Sequence, residues 1–319
     1  EKQKLILRSP QHLAMWLRLT ASGEVAEFRT KIQLMERFWQ RCYEQLDKAG
    51  VNAARADEVL RRLTDYMEKK GSLSAPYHLI GDRPNELKAM CSLGLLSTDE
   101  RQISFSHQSY LEYRIASQVF RDLSGEEHTI PTWLGDRSRQ SLCRREQLRL
   151  LLSLISEAAA ADFLKHAREM LEDGDIRFHL KHLMLEVISQ FEEPSSELLT
   201  YWRTLIADDY WREHVAETVI YGHPQYVWGL ATTGVLSEWL ESEDPGDIQH
   251  ACWLLRSVAD KLPDFVAETL DEYAERDEEW GRRVVDCLCW RVYDDSDRMF
   301  SLRLKLARRG IVFHWVDWE

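Results

Sequence analysis

The sequence predicts a mainly α protein: a small helical domain, then a compact helix-and-hairpin domain, then a long array of paired helices. Three observations predict it. Apolar residues recur at three- and four-residue spacing along most of the chain, the pattern of helices that bury one face. Strict apolar alternation is confined to a short stretch around Ile103-Ser104-Phe105. From residue 177 onward, expected helix starts at Arg177, Asp209, Asp247 and Glu279 are 32, 38 and 32 residues apart, each interval holding a helix pair.

The first expected helix, Gln11 to Thr20, follows Ser9-Pro10; a proline fits the first helical turn because its missing N–H would be unpaired there anyway. Phe28 to Lys48 form a second helix, with Ile32, Met35, Phe38, Trp39 and Cys42 on one face, ended by Gly50 and Asn52. A third runs from about Ala54 to Lys70, carries Val59, Leu60, Leu63, Tyr66 and Met67, and stops at Gly71. Asn85 to Leu93 are a short helix closed by Gly94, and Leu95-Leu96-Ser97 and Ile103-Ser104-Phe105 are strands around a polar turn. The second strand feeds a helix from Ser109 to Phe120. This layout is that of a winged helix with a short β-hairpin wing.

A polar loop punctuated by Gly125, Pro131 and Gly135 leads into ten expected helices, from Glu146 to Glu157 through to Asp297 to Arg309. Their spacing is that of an α-solenoid. The array reads as HEAT-like, since the tryptophan, glycine and alanine pattern of tetratricopeptide repeats is missing. Most of its aromatic residues, Trp202, Trp211 and Trp253 among them, are expected in the core, with a few left for a concave patch. The domains are expected at 1–53, 54–124 and 125–319. The ending Ile311-Val312-Phe313-His314-Trp315 is apolar, so either the array continues or the tail folds back over the last pair.

Composition fits a cytoplasmic globular protein. Of 319 residues, 44% are hydrophobic and 30% charged, enough to bury a core. No apolar run approaches the roughly 18 residues that span a bilayer, and no secretory signal is visible. A chain starting at Glu1 without methionine is expected to be an excised fragment. Six scattered cysteines read as reduced, mostly buried thiols rather than a disulfide framework. Cys287-x-Cys289 lacks a zinc-site spacing, and His179-x-x-His182 lacks a third ligand, so no metal is expected. Up to Gly125 the net charge is +3 and beyond it −16. Phosphate backbones are held by Lys and Arg, so the acidic part argues against nucleic acid and points to basic protein partners or merely to solubility.

The stretch Phe105-Ser106-His107-Gln108-Ser109-Tyr110-Leu111-Glu112-Tyr113 resembles the winged-helix signature of STAND-class NTPases, which include the NACHT proteins and animal NLR sensors. Leu5-Ile6-Leu7-Arg8-Ser9-Pro10-Gln11-His12-Leu13 looks like the small helical domain that follows their ATPase core. The resemblance covers about residues 5 to 122. It implies that Pro10 packs against adenine and that His107 donates to the β-phosphate of ADP, holding an off state until exchange for ATP. Glu112 would be structural, bracing the helix start through a backbone or arginine contact. Read without the family, Pro10 is a helix-start residue and His107 a buried histidine bonded to backbone.

The chain departs from the family in having no Gly-x-x-x-x-Gly-Lys-Ser/Thr and no apolar strand ending in paired acidic residues. It is therefore expected not to hydrolyse ATP and to hold no cofactor itself; ADP or ATP with magnesium would belong to a longer parent. The resemblance implies a regulatory and sensor portion similar to bacterial antiviral STAND proteins. Its own ATPase core would be one partner, a trigger protein bound by the repeats another, and activation would form a homo-oligomer. Two other classes stay open. One is a free-standing HEAT-like scaffold. The other is a winged-helix transcription regulator, although Asn85 to Leu93 offers one lysine and no arginine for base readout.

Overall fold

The computed structural model describes residues 2–21, 27–99, 101–123, 125, 128–158, 160–220, 223–288 and 296–311. It is mainly helical with one small antiparallel sheet. Two compact units are present, Glu1–Lys181 and His182–Glu319.

The first unit opens with α1 (Lys2–Ile6), α2 (Pro10–Thr20), α3 (Lys31–Lys48) and α4 (Ala53–Lys70). α3 starts at Lys31 rather than Phe28 because Thr30 caps it, its side chain accepting the Gln33 N–H at 3.1 Å. Asn52 does the same for α4 through the Arg55 N–H, also at 3.1 Å. Next come β1 (Ser74–Pro76), a 3-10 turn over Tyr77–Ile80, α5 (Pro84–Ser92), β2 (Leu96–Thr98), β3 (Gln102–Phe105) and α6 (Gln108–Asp122). The sheet order is β1-β3-β2, with Ala75 opposite Ile103 and Leu96 opposite Phe105. β1 was not expected: three residues carry no alternation, and its Pro76 is tolerated because the strand lies at the sheet edge.

The stretch read as a polar loop contains α7 (Ile130–Leu134), which buries both Ile130 and Leu134. Thr129 and Thr132 form a reciprocal capping box at its start. The first unit continues through α8 (Leu142–Ala158), α9 (Ala160–Glu172) and the start of α10 (Phe178–Ile188). α8 lies along α6, which ties residues on both sides of position 124 into one core.

The second unit holds α11 (Ser196–Ala207), α12 (Asp209–Val215), α13 (Pro224–Thr232), α14 (Val235–Leu240), α15 (Pro245–Val258), α16 (Pro263–Asp271), α17 (Tyr273–Arg276), α18 (Glu278–Leu288) and α19 (Asp297–Arg308). α12 ends in a π-helical turn, Ala216–Ile220. The helix expected from Tyr226 to Glu241 is broken into α13 and α14 by Gly234, whose φ of 83° suits a residue without Cβ. The one expected from Pro263 to Glu275 is interrupted at Glu272, which keeps helical dihedrals. Polar ties in this unit recur at a regular sequence separation. Tyr226 reaches the Ile188 carbonyl 38 residues back, Gln225 the Phe191 carbonyl 34 back, Arg276 Glu241 35 back and Lys305 Asp271 34 back.

The first unit's core is pinned by two buried arginines that share α4 as their counter-charge. Arg114 on α6 donates to Asp57 at 2.6 Å and to the Tyr43 hydroxyl at 3.1 Å, and lies 5.5 Å from the Trp39 ring centroid. Arg144 on α8 donates to Glu68 at 2.7 Å and stacks 4.5 Å from the Trp133 ring, whose indole N–H meets the same carboxylate oxygen at 2.9 Å. Gln118 adds a third tie, to Asp65, at 2.6 Å. Burial alone would raise Asp57, but Arg114 and the Tyr43 hydroxyl outweigh it and hold the carboxyl below its usual range.

Removing one partner of a buried pair strands the other. Arg144→Ala should therefore cost about 3–5 kcal/mol in chemical denaturation, while Glu68→Gln with Arg144→Met should recover most of that loss. Asp57 stabilises the fold fully above its unfolded pKa of about 3.9, and that contribution is lost as pH falls through the lower folded value. The acid limb of a melting-temperature profile should accordingly be shallower in Asp57→Asn than in the unaltered chain.

Candidate functional site

The two residues singled out from separate motifs, Pro10 and His107, stand at the N-terminal ends of two helices that meet. Pro10 is the first residue of α2, preceded by Ser9 in an extended conformation, and it is exposed. His107 caps α6 with extended dihedrals of φ −144° and ψ 137°. Helix α2 is joined to α6 one residue past Pro10 and two past His107: the Gln11 amide donates to the Ser109 hydroxyl, which is buried.

His107 is exposed rather than buried, and its bond to backbone runs opposite to that of a donor. Its Nδ1 accepts the Ser109 N–H at 3.3 Å. A neutral imidazole accepting at Nδ1 carries its proton on Nε2, which leaves an N–H donor on the ring's outer edge. The ring sits 6.1 Å from that of Tyr110, which stacks on Phe38 at 5.3 Å. Glu112 accepts from the Gln108 side chain at 2.8 Å, so it braces the helix start through an amide, where a backbone or arginine partner was expected.

Sequence reasoning missed His12 and Lys31. His12, on α2, is buried with Nδ1 3.2 Å from the Ile6 carbonyl and Nε2 without a partner among the described residues. Burial first, then Lys31, lowers its pKa, with a smaller push from His107, against the raising effect of the bond to the Ile6 carbonyl. Nothing in the local sequence marks the Ile6 carbonyl, six residues back, as the partner of His12, and the influence of Lys31 on α3 comes only with the tertiary fold. Two helix N-termini, an exposed imidazole donor and an ammonium group make a neighbourhood that favours an anion.

The other candidates are accounted for separately. His182 is engaged by Glu186 at 3.3 Å and by Thr218 at 3.4 Å. Among the described residues no three His, Cys, Asp or Glu side chains converge as metal ligands would. Cys42 and Cys252 are buried thiols, Cys91 is half-buried and Cys143 is exposed; Cys289 and the tail 312–319 lie outside the described residues. In the second unit Trp202, Trp211, Tyr226 and Tyr273 are buried, whereas Tyr210, Trp228, Trp253 and Phe300 are exposed. No helix among the described residues is long and apolar enough to cross a membrane. Neither a protein-family model, nor a curated protein, nor a solved structure matches this chain.

His12 is expected to stay neutral to a lower pH than an ordinary histidine of about 6.5. Its folded form resists the proton that the unfolded chain accepts, so stability should fall as pH drops from about 6.5 through the folded value. Long-range ¹H–¹⁵N spectra across that range test both points: His12 should carry its proton on Nδ1 and His107 on Nε2. A His12 that titrates at the ordinary value would contradict this account.

Proposed function

We propose that the chain is the regulatory and sensor portion of a STAND-class NTPase, cytoplasmic and engaged in antiviral defence. In this reading the N-terminal unit closes over ADP held by an ATPase core supplied in the same polypeptide. The observation that carries it is the meeting of α2 and α6, which puts Pro10 and His107, residues from motifs 97 positions apart, at one junction. The exposed Nε2 edge of His107 is suited to a phosphate oxygen, and Lys31 nearby adds positive charge.

The element order supports a winged helix within residues 54–124. Helix α4, strand β1, the 3-10 turn, α5 and the β2–β3 hairpin follow in that order, with β1 paired to the far strand of the hairpin. The recurrent ties across 34 to 38 residues support a HEAT-like array after it. The second unit carries 13 Lys and Arg against 28 Asp and Glu. With Trp228 and Trp253 half-exposed, its surface suits a basic protein trigger with aromatic or cationic anchors. Such a trigger switches the molecule only if it binds the open state more tightly than the closed one. Release of the winged helix then permits homo-oligomerisation.

The deciding measurement is the intact mass of the native polypeptide captured from its own cell. A mass well above 37.6 kDa, with a P-loop among upstream peptides, is the expected outcome. In that parent, His107→Ala should speed ADP release by about 10–100-fold, the worth of one hydrogen bond to a charged group. A mass near 37.6 kDa would leave His107 no phosphate to hold and would make the chain a free-standing scaffold.

A further inference from the structure

A cleft of about 440 Å³ opens in the first unit between the C-terminal end of α2, the middle of α3 and the C-terminal end of α5. It is remote from Pro10 and His107 in the sense that Arg18, on its rim, stands more than two helical turns along α2 from Pro10. Its volume falls among pockets that take small ligands, about 300–1,000 Å³. Phe38 and Leu19 form an apolar wall, and both are buried. Cys42 also lines it; burial, opposed by Arg18, pushes that thiol up to about 12, so it stays protonated and offers neither a metal ligand nor a nucleophile.

The charge in the cleft is cationic and only partly matched. Arg18 donates through Nη1 to the Leu93 carbonyl at 3.1 Å, and among the described residues no carboxylate pairs with it. Gly94 helps place it: φ is +65° there, and a Cβ would fall 3.0 Å from Arg18 Nη2. Arg41 pairs with Glu44 at 3.1 Å through Nη1, and its Nε is buried with no hydrogen-bond partner among the described residues. Setting Glu44 against Arg41 leaves one net positive charge, which suits a monoanion better than a phosphate dianion.

We propose that this cleft binds a small monocarboxylate with an apolar body. The carboxylate lies between Arg18 and Arg41, where planar guanidinium groups match its two oxygens, and the body lies against Phe38 and Leu19. No bond is made or broken.

Calorimetric titration of the whole 319-residue chain with 2-naphthoate tests this, with 2-naphthalenemethanol as the neutral counterpart and 2-naphthyl phosphate as the dianion. The acid should bind with a Kd of about 1 mM or tighter. The alcohol should bind about tenfold more weakly, and Arg18→Met and Arg41→Gln should each weaken the acid by about tenfold while leaving the alcohol unchanged. Arg18→Lys should keep part of the affinity. Equal binding of acid and alcohol, tighter binding of the phosphate, indifference to both arginine substitutions, or no saturable binding of the acid would each overturn the proposal. The comparison of the three probes on the unaltered chain decides even where a variant fails to fold.

Discussion

Two arginines buried against one helix constrain the whole first unit. A guanidinium taken out of water is costly unless a carboxylate meets it, so α6 and α8 can pack only where α4 offers Asp57 and Glu68. These two positions are separated by 11 residues, close to three full turns, which puts them on the same side of α4. Its other side turns Val59, Leu60, Leu63 and Met67 into the apolar core. Trp39 and Trp133 lie against the two guanidinium groups and help to shield them from water. The arrangement fixes the register of α6, and with it the position of His107 at its N-terminal end.

Helix α2 then carries positive potential at both ends for different reasons. At its start, the N-terminal ends of α2 and α6 adjoin through the Gln11–Ser109 bond, with His107 heading α6, and Lys31 of α3 acts electrostatically on His12 of α2. Near its end, Arg18 donates to the Leu93 carbonyl, just past α5, and lines a cleft. The second unit has the opposite character. Its carboxylates outnumber its cationic side chains by more than two to one, and pairs such as Lys305 with Asp271 are largely exposed, so they tune its surface more than they stabilise it.

How much was legible follows from what each signal depends on. The 3.6-residue pattern of α3 and α4 is local, so α4 was readable to within one residue and α3 to within three, the caps Thr30 and Asn52 going unrecognised as helix starts. β1 was not, because three residues ending in Pro76 become a strand only when β3 is alongside. α7 was hidden for a similar reason: five residues give no period, and Ile130 and Leu134 read as apolar only once a core receives them. In the candidate site the two motif residues were visible. His12, Lys31 and the Gln11–Ser109 bond were not, since each depends on which helix arrives next to which.

The sequence by itself determined the long helices, where the β-hairpin falls, how the charge divides and which two residues head α2 and α6. These follow from local backbone preference and from the periodicity of apolar residues, which act within a few residues of each other. Only the tertiary structure decided that those two helix ends adjoin, that Arg114 and Arg144 are buried on α4, that His107 points its donor edge outward and that Arg18 and Arg41 border one cleft. Such juxtapositions come from burying apolar faces together while satisfying every charge that goes in with them, a condition set by the whole core at once.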